Sequence, residues 1–244
     1  MYKNGKYFSM ILSEKIEIIL FDADDTLWAN NIYYLKAIDE FINLITAAGF
    51  QRDMVENTFD ELEIKVVKER GYGSQNFVFI LESLFAEFSG KSKKLIDRAN
   101  LEKIITQFNL HPIQPPVLFA GVIETLEYLS KKYRLYLLTK GDYTEQQGKI
   151  QRAGVLPYFT DYFIPDEKDD TTYKNLLKEM KWKAESTCMV GNSPKSDINP
   201  ALRNGMYAVF IPYKETWKLD KEPVQSIDGR LVILENFSDL KKIF

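Results

Sequence analysis

The chain has 244 residues, and 45% of them are apolar, so it can bury a sizeable core and we expect an ordered protein. Its net charge of −3 gives no basis for binding nucleic acid, because nucleic-acid-binding proteins usually carry a basic excess. The single cysteine, Cys188, excludes an internal disulfide. No apolar run comes near the length of about 20 residues that a helix needs to span a bilayer. We therefore predict a cytoplasmic protein without a membrane partner.

Outside a central region, short apolar runs alternate with amphipathic stretches. Residues 1–15 lack the long apolar region of a signal peptide and are interpreted as an N-terminal extension. The predicted strands are 16–21, 134–138, 187–190, 206–211 and 230–234. The stretches 122–132 and 171–180 place their apolar side chains on one face, which is typical of helices. This alternation predicts an α/β fold, a Rossmann-like parallel sheet core with helices on both faces.

The central region breaks this alternation because it is predicted to be helical throughout. Its predicted helices are 33–48, 53–69, 76–89 and 94–108. The segment HPIQPP at 111–116 then stops helix formation, since proline biases the residue before it away from the helix. We predict an inserted α-helical cap domain at 30–113 and a core domain made of 1–29 and 114–244. Such a cap would lie over the carboxyl ends of the strands, where open α/β sheets bind ligands.

The acidic run FDADDTLW, residues 21–28, directly follows the first predicted strand. Asp22 and Asp24 lie two positions apart at the strand end, and we expect their side chains to take different roles. A carboxylate attacks a phosphate ester poorly, because two unit charges about 4 Å apart repel by about 4 kcal/mol at an effective dielectric near 20. The nucleophile needs a cation nearby, and the leaving alkoxide needs a proton donor. This aspartate pair can supply the nucleophile and the donor.

A phosphate cradle is predicted where the second strand ends. The segment LLTKGD, 137–142, places Thr139 at the end of that strand. The backbone amides of Lys140 and Gly141 follow and are predicted to open a helix. Amides at the beginning of a helix bind anions, so this segment is a candidate for holding the phosphoryl oxygens.

Two later segments offer a lysine and metal ligands. Lys168 lies in a polar segment before the helix predicted at 171–180, and Lys174 is its rival inside that helix. The run MVGNSPKSDI follows another strand and offers Asn192 and Asp197 to a metal ion. Asn192 as a simple turn residue is the alternative.

In their order along the chain, these four motifs resemble those of the haloacid dehalogenase superfamily, in its phosphatase branch. The motifs are DxDxT, Thr-x-Gly, a lysine before a helix, and GNSxxSD. The resemblance covers about residues 16 to 240, and the insert resembles the helical (type 1) cap of the family. It implies a Mg²⁺-dependent phosphomonoester hydrolase that acts on a small soluble phosphorylated metabolite through an aspartyl-phosphate intermediate.

The resemblance implies a role for each matching position. Asp22 would attack phosphorus. Asp24 would protonate the leaving group and then deprotonate the hydrolytic water. Thr139 and the next amide would hold the phosphoryl oxygens, and Lys168 would neutralise the nucleophile and the phosphate. The implied Mg²⁺ ligands are Asp22, Asp24 (through its backbone carbonyl), Asn192 and Asp197.

Three departures from the family pattern bear on this site. The family usually has Asp in place of Asn192, so we expect weaker metal affinity but not loss of the site. Lys140 stands where the phosphatases often carry Asn, and it would either add positive charge to the phosphate site or point to solvent. Lys168 lacks the proline that often follows it in relatives.

Two aromatic residues are further candidates for substrate contact. Trp28 ends the acidic run and would either wall the site or pack at the hinge of the cap. Tyr72 lies between Gly71 and Gly73, which allow a tight turn that could bring its ring to the site. An ordinary turn between helices is the alternative for Tyr72.

Other functions stay open at this point. A haloacid dehalogenase uses the same aspartate nucleophile and carries Asn in a comparable late motif, but Asp24 would then have no role. A non-catalytic binding module with this fold is supported by Asn192 alone. Phosphonate cleavage would need a cap lysine that forms a Schiff base, and the sequence indicates none clearly. A calcium loop is excluded because no Gly and no closing Glu follow the acidic run.

The substrate and the oligomeric state also stay open. A cap that excludes water favours a small soluble phosphate, and nucleoside monophosphates, sugar phosphates and phosphoglycolate all fit that class. The DADDTLW start is somewhat similar to pyrimidine nucleotidase relatives. Both a monomer and a homodimer are compatible with the sequence.

Overall fold

The computed structural model describes residues 14–225 and 229–244. Residues 1–13, most of the predicted N-terminal extension, lie outside the described residues. None of the helices in the described part of the chain is both long enough and apolar enough to cross a bilayer.

The chain divides into two compact units. The sheet unit comprises Met1–Asn31 and Val117–Phe244, and the helical unit comprises Ile32–Pro116. The predicted insert, 30–113, therefore begins two residues earlier and ends three residues earlier than the helical unit. The segments that leave and re-enter the sheet unit are paired, because Ala29 N donates to the carbonyl of residue 117 (3.2 Å) and the amide of residue 119 donates to the carbonyl of residue 27 (2.9 Å).

The helical unit contains four helices among the described residues. They are α1 (Asn31–Ala47), α2 (Arg52–Arg70), α3 (Ser74–Lys91) and α4 (Arg98–Leu110). Helix α4 begins four residues later than predicted, because the Asp97 side chain accepts a hydrogen bond from Ala99 N and caps the helix there. The side chains that pack between these helices are apolar and include Phe41, Phe59, Leu81, Leu84 and Leu101.

The sheet unit is built on a parallel sheet of six strands within the described residues, in the order β3-β2-β1-β4-β5-β6. The strands are β1 (Ile18–Phe21), β2 (Arg134–Leu138), β3 (Asp161–Phe163), β4 (Thr187–Gly191), β5 (Tyr207–Phe210) and β6 (Leu231–Ile233). The predicted α/β fold is confirmed. Strand β3 was not predicted, because three partly exposed residues at a sheet edge have no long apolar run.

Both faces of the central strand β1 are covered. Ile19 and Phe21 belong to one apolar cluster, whereas Ile18 and Leu20 belong to another. Successive side chains of a strand point to opposite faces, so the two clusters lie on opposite sides of the sheet. A strand buried on both faces has a continuous apolar sequence, which explains why β1 has four consecutive apolar residues and no alternation of apolar and polar ones.

Four helices flank the sheet among the described residues. They are α5 (Val122–Ser130), α6 (Tyr143–Arg152), α7 (Asp170–Glu179) and the short α8 (Asn199–Arg203). Helix α5 packs into the cluster of Ile19 and Phe21 through Leu126, and α7 packs into the opposite cluster through Tyr173. Because β2 and β4 flank β1 and run parallel to it, the loops that follow these three strands lie side by side at the carboxyl ends of the strands.

Candidate active site

Asp22 is the first residue after β1, and three contacts hold it. Its backbone N–H donates to Val190 O at 2.9 Å, which continues the sheet ladder by one residue. The Lys168 ammonium donates to Asp22 Oδ1 at 2.6 Å, and the Thr26 hydroxyl donates to Asp22 Oδ2 at 2.8 Å. Lys168 and Asp22 are 146 positions apart in the sequence, and the fold brings them together as predicted.

Asp197 shares the same ammonium. Lys168 donates to Asp197 Oδ1, and the Ser193 N–H donates to Asp197 Oδ2 at 2.9 Å. A Cβ at Gly191 would overlap the Asp197 carboxylate, so glycine is required there for the carboxylate to approach the end of β4. One lysine thus lies between two buried carboxylates.

The charges in this cluster are not balanced. Burial and the charge of Asp197 raise the pKa of Asp22 to about 7, against the opposing effect of Lys168. Burial also raises the pKa of Asp197. Burial disfavours the Lys168 ammonium, but the two carboxylates outweigh it and raise the pKa of Lys168 well above its ordinary value. If both acids are ionised, the cluster carries one excess negative charge.

Asn192 presents its amide oxygen to the same cluster. The Thr216 hydroxyl donates to Tyr213 O at 2.7 Å, so it must accept the hydrogen bond from Asn192 Nδ2 at 3.1 Å. The amide oxygen consequently lies 3.2 Å from the Thr26 hydroxyl, which also contacts Asp22. We call these residues the nucleophile cluster: Asp22, Thr26, Lys168, Asn192 and Asp197.

The donor set of this cluster fits a hard divalent cation such as Mg²⁺. Carboxylate, amide and backbone carbonyl oxygens are the protein ligands that Mg²⁺ prefers. No group of three His, Cys, Asp or Glu residues suited to a metal occurs in the described part of the chain. The oxygen-bearing side chains of the cluster include the carboxylates of Asp22 and Asp197 and the amide of Asn192, and with both acids ionised their excess negative charge would attract a cation.

Asp24 lies in a second cluster with its own cation. Lys149 donates to Asp24 Oδ2 at 2.5 Å, Gln146 Nε2 donates to the same oxygen at 2.9 Å, and Trp28 Nε1 donates to Oδ1 at 2.6 Å. Burial alone would raise the pKa of Asp24, but the Lys149 ammonium and the other donors lower it below its ordinary value. We call these four residues the acid–base cluster: Asp24, Trp28, Gln146 and Lys149.

The predicted phosphate cradle has a different backbone from the one expected. Helix α6 begins at Tyr143 and is capped by Asp142, so the amides of Lys140 and Gly141 precede the helix and do not open it. The Thr139 N–H is used in the sheet, where it donates to Phe163 O at 3.1 Å. The buried Thr139 hydroxyl accepts from Gln146 Nε2 at 3.2 Å.

Lys140 adopts neither of its two predicted positions. Its ammonium donates to Ser196 Oγ and Asp220 Oδ1, both at 2.9 Å, and lies 3.2 Å from Glu167 Oε1. Its side chain is 11% exposed, so it does not point freely into solvent. Its two acidic partners more than offset its charge when both are ionised, so Lys140 adds no net positive charge to the loop after β2.

The two aromatic candidates lie in different units. Trp28 is fully buried in the apolar cluster around Phe21, where its indole supports Asp24 and does not form an exposed wall. Tyr72 lies in the helical unit between α2 and α3, and both flanking glycines have positive φ, as the predicted tight turn requires. A substrate contact for Tyr72 stays a prediction.

Asp25 fixes the chain where it leaves this loop. Asp25 itself adopts a left-handed conformation with φ of 62°. Its carboxylate accepts from the N–H groups of Asn30 at 2.8 Å and Asn31 at 3.1 Å, at the beginning of α1. Burial raises the pKa of Asp25 to about 7. This residue was not identified as important in the sequence, although it directly follows Asp24.

Comparison with known proteins identifies the family of this chain. Residues 16–205 match the family of haloacid dehalogenase-like hydrolases. The chain belongs to this family. The glyceraldehyde 3-phosphate phosphatase of Methanocaldococcus jannaschii is 30% identical over 237 residues, which are 93% of this chain and 97% of that protein.

Solved structures agree on the fold. A haloacid dehalogenase-like family hydrolase from Xanthomonas campestris has a TM-score of 0.75 and 25% identity, over 94% of this chain and 96% of that one. The HAD-hydrolase YfnB from Bacillus subtilis, bound to magnesium, has a TM-score of 0.58 and 18% identity, over 94% and 98% of the two chains. The latter comparison concerns the fold alone. The superfamily resemblance predicted from the four motifs is confirmed.

Three residues that complete the site of this haloacid dehalogenase-like hydrolase were missed in the sequence. Gln146 and Lys149 lie with Ile150 on the buried face of α6, and polar residues on a buried face are a signal that could have indicated them. Thr216 lies in an irregular segment after β5, where no periodicity applies. Its role depends on a contact with Asn192 that only the fold creates.

Proposed function

We propose that this hydrolase is a Mg²⁺-dependent phosphatase that cleaves a phosphate monoester of a small soluble metabolite. The observation that carries the proposal is the buried Asp22 carboxylate at the end of β1, paired with Lys168. A second carboxylate, Asp24, lies two residues away in a separate electrostatic setting. Two carboxylates whose surroundings shift their pKa values in opposite directions are suited to different chemical roles.

In the first half-reaction, an oxygen of Asp22 attacks phosphorus and the bond from phosphorus to the ester oxygen breaks. The leaving alkoxide takes a proton from Asp24, and an aspartyl-phosphate forms on Asp22. Lys149 favours the ionised form of Asp24, so Asp24 must take up a proton before this step. The negative charge of the bound phosphate favours that uptake, because a like charge raises the pKa of a carboxyl group.

In the second half-reaction, water attacks the phosphorus of the aspartyl-phosphate and gives a proton to Asp24, which releases Asp22 and inorganic phosphate. Lys168 lies where it can neutralise both the nucleophile and the phosphoryl group. Mg²⁺ would supply further positive charge against the repulsion between two anions. The residues that would hold it are Asp22, Asp24, Asn192 and Asp197.

The names of the relatives support a choice of substrate class. The phosphatase of M. jannaschii is named for glyceraldehyde 3-phosphate, a three-carbon phosphate ester. We therefore place small phosphorylated sugars and aldehydes first among the substrates to be tested. Nucleoside monophosphates follow, because the acidic run of this chain is similar to that of pyrimidine nucleotidase relatives.

The test is release of free phosphate from p-nitrophenyl phosphate, glyceraldehyde 3-phosphate and a panel of phosphorylated metabolites, with and without Mg²⁺. We expect Mg²⁺-dependent turnover that the Asp22→Asn variant loses. The matched control is Asp239→Asn, which removes a carboxylate paired with Lys242 elsewhere in the sheet unit and should keep full activity.

Two outcomes would contradict the proposal. One is the absence of phosphate release from every ester in the panel. The other is halide release from 2-haloacids by the wild-type protein without Mg²⁺, which would favour the dehalogenase alternative.

A further inference from the structure

Lys149 is almost fully buried, with 2% of its side chain exposed, and lysine is rarely buried without a charged partner. Its ammonium donates to Asp24 Oδ2 at 2.5 Å and to Asn30 Oδ1 at 3.2 Å, and lies 3.9 Å from Glu145 Oε1. Lysine has three donors and no acceptor; two of the donors form these hydrogen bonds, and Glu145 adds an ion-pair contact. Its position relative to Asp24 is therefore well determined.

Gln146 reaches the same carboxylate oxygen from one turn earlier on α6. Its Nε2 lies within hydrogen-bond distance of Asp24 Oδ2 (2.9 Å), Thr139 Oγ1 (3.2 Å) and Lys140 O (2.7 Å). It thereby joins the loop after β1 to the loop after β2. A Cβ at Gly141 would lie 3.1 Å from Gln146 Cγ, so the glycine leaves room for this close approach.

The bonding of Gln146 is incomplete. Its Oε1 atom is buried and has no hydrogen-bond partner among the described residues. A buried polar atom without a partner costs stability, so a side chain that served stability alone would be expected to pair both ends. The orientation of Gln146 satisfies Asp24 at the expense of its own oxygen.

We propose that Lys149 and Gln146 are positioning residues that hold the Asp24 carboxylate in the orientation from which it exchanges protons with the leaving group and the hydrolytic water. The inference rests on the proposed phosphatase function. Neither residue needs to touch the substrate, because each acts through Asp24. A misplaced acid or base loses much of its catalytic effect, since proton transfer requires hydrogen-bond distance to the reacting atom.

Esters with different leaving groups distinguish a positioning role from a purely structural one, because only a positioning role predicts unequal losses of activity on the two esters. Nitrophenolate departs without a proton, whereas the alkoxide of glyceraldehyde 3-phosphate, or of the best alkyl phosphate in the panel, requires one. The value of kcat/KM reports the steps up to formation of the aspartyl-phosphate. We expect Lys149→Met to lower kcat/KM for the alkyl ester about 100-fold and for p-nitrophenyl phosphate by no more than about threefold.

For p-nitrophenyl phosphate, kcat and kcat/KM should also respond differently to Lys149→Met. Asp24 acts as the base in the second half-reaction whichever ester is used, so kcat for p-nitrophenyl phosphate should fall in Lys149→Met. Because kcat/KM for this ester is nearly kept, its KM should fall with kcat. Lys149→Arg, which keeps the charge, should recover part of the activity on the alkyl ester.

Two further variants complete the experiment. In an Asp24→Asn background, adding Lys149→Met should cause no further loss on the alkyl ester, because both changes act through one carboxyl group. If Lys149→Met does not fold, Gln146→Met serves in its place, with an expected selective loss of about tenfold on the alkyl ester. The control is Lys131→Met, directly after α5; this lysine pairs with Glu127 at 2.9 Å on the surface, and its removal should leave turnover of both esters unaffected.

Equal losses on the two esters, or a further loss in the Asp24→Asn background, would overturn the inference while leaving the proposed function intact. Absence of turnover by the wild-type protein on either ester would overturn the proposed function, and the inference would fall with it. The two failures are therefore distinguishable.

Discussion

The nucleophile cluster and the acid–base cluster are built from carboxylates only two residues apart, yet their electrostatics differ. In the nucleophile cluster, Asp22 and Asp197 compete for one ammonium, and the pKa of Asp22 is raised to about 7. In the acid–base cluster, Lys149 contacts Asp24 at 2.5 Å and lies farther from Glu145, at 3.9 Å, and the pKa of Asp24 is lowered. With both of its acids ionised, the first cluster has one negative charge left for a cation to neutralise, whereas in the second the ammonium directly neutralises Asp24.

The physical origin of the difference is the turn that follows β1. The strand ends at Phe21, and the amides of Thr26 and Leu27 donate to Ala23 O, so the chain has left the strand direction by Asp24 and the two aspartates meet partners from different elements. Asp22 contacts Lys168, which precedes α7, whereas Asp24 contacts Lys149 on α6. A short acidic motif therefore acquires two electrostatic settings because two different parts of the chain complete it.

Loss of Lys168 should have the largest effect. The Lys168→Met variant leaves two buried carboxylates without their shared cation, and we expect kcat/KM to fall at least about 1,000-fold. Without Mg²⁺, the free energy of unfolding should fall by about 3 kcal/mol, measured by urea denaturation. Lys174→Met is the matched control, because this exposed lysine on α7 was the rival candidate. A comparable loss in the control would contradict the assignment.

Replacement of Asp24 should have the next largest effect. The Asp24→Asn amide keeps the shape of the side chain but cannot exchange a proton, so kcat/KM for an alkyl phosphate should fall about 100-fold to 1,000-fold. The loss for p-nitrophenyl phosphate should be much smaller. If the two esters lose activity equally, Asp24 is not the proton donor and the contrast between the clusters has no catalytic meaning.

A smaller effect is expected when the nucleophile cluster receives another negative charge. Asn192→Asp restores the carboxylate that the family usually has, and we expect Mg²⁺ to bind about tenfold more tightly, about 1.4 kcal/mol. Isothermal titration calorimetry of the purified protein would measure this change. The metal-free variant should in turn be less stable than the wild-type protein, because repulsion in the cluster increases. Unchanged Mg²⁺ affinity would argue against Asn192 as a ligand.

The smallest effect is expected at Lys140. Asp220 and Glu167 offset its charge, so Lys140→Met should change kcat/KM by no more than about threefold, with a loss of stability of about 1 kcal/mol. Steady-state kinetics and thermal unfolding would measure both quantities. A large rise in KM with unchanged kcat would instead show that Lys140 binds the phosphate directly.

Much of the fold was predictable because its signals are local. The strands with clear apolar runs and the helices with one apolar face were located within a few residues of their observed bounds. Strand β3 was missed because a tertiary contact decides it, the pairing with β2 at the sheet edge. The beginning of α4 was placed four residues too early because the local cap at Asp97 was not recognised.

The sequence by itself determined the nucleophile candidate, the lysine, the metal-ligand candidates and the family, because these residues lie in short motifs next to regular elements. Only the tertiary structure decided how they are paired. Lys149 lies 125 positions from Asp24, and Asn192 is oriented by Thr216 from 24 positions away. Periodicity indicates which side chains are buried, but not which strand end they lie against. For that reason the balance of charge around Asp22, Asp24 and Lys140 emerged only from the folded chain.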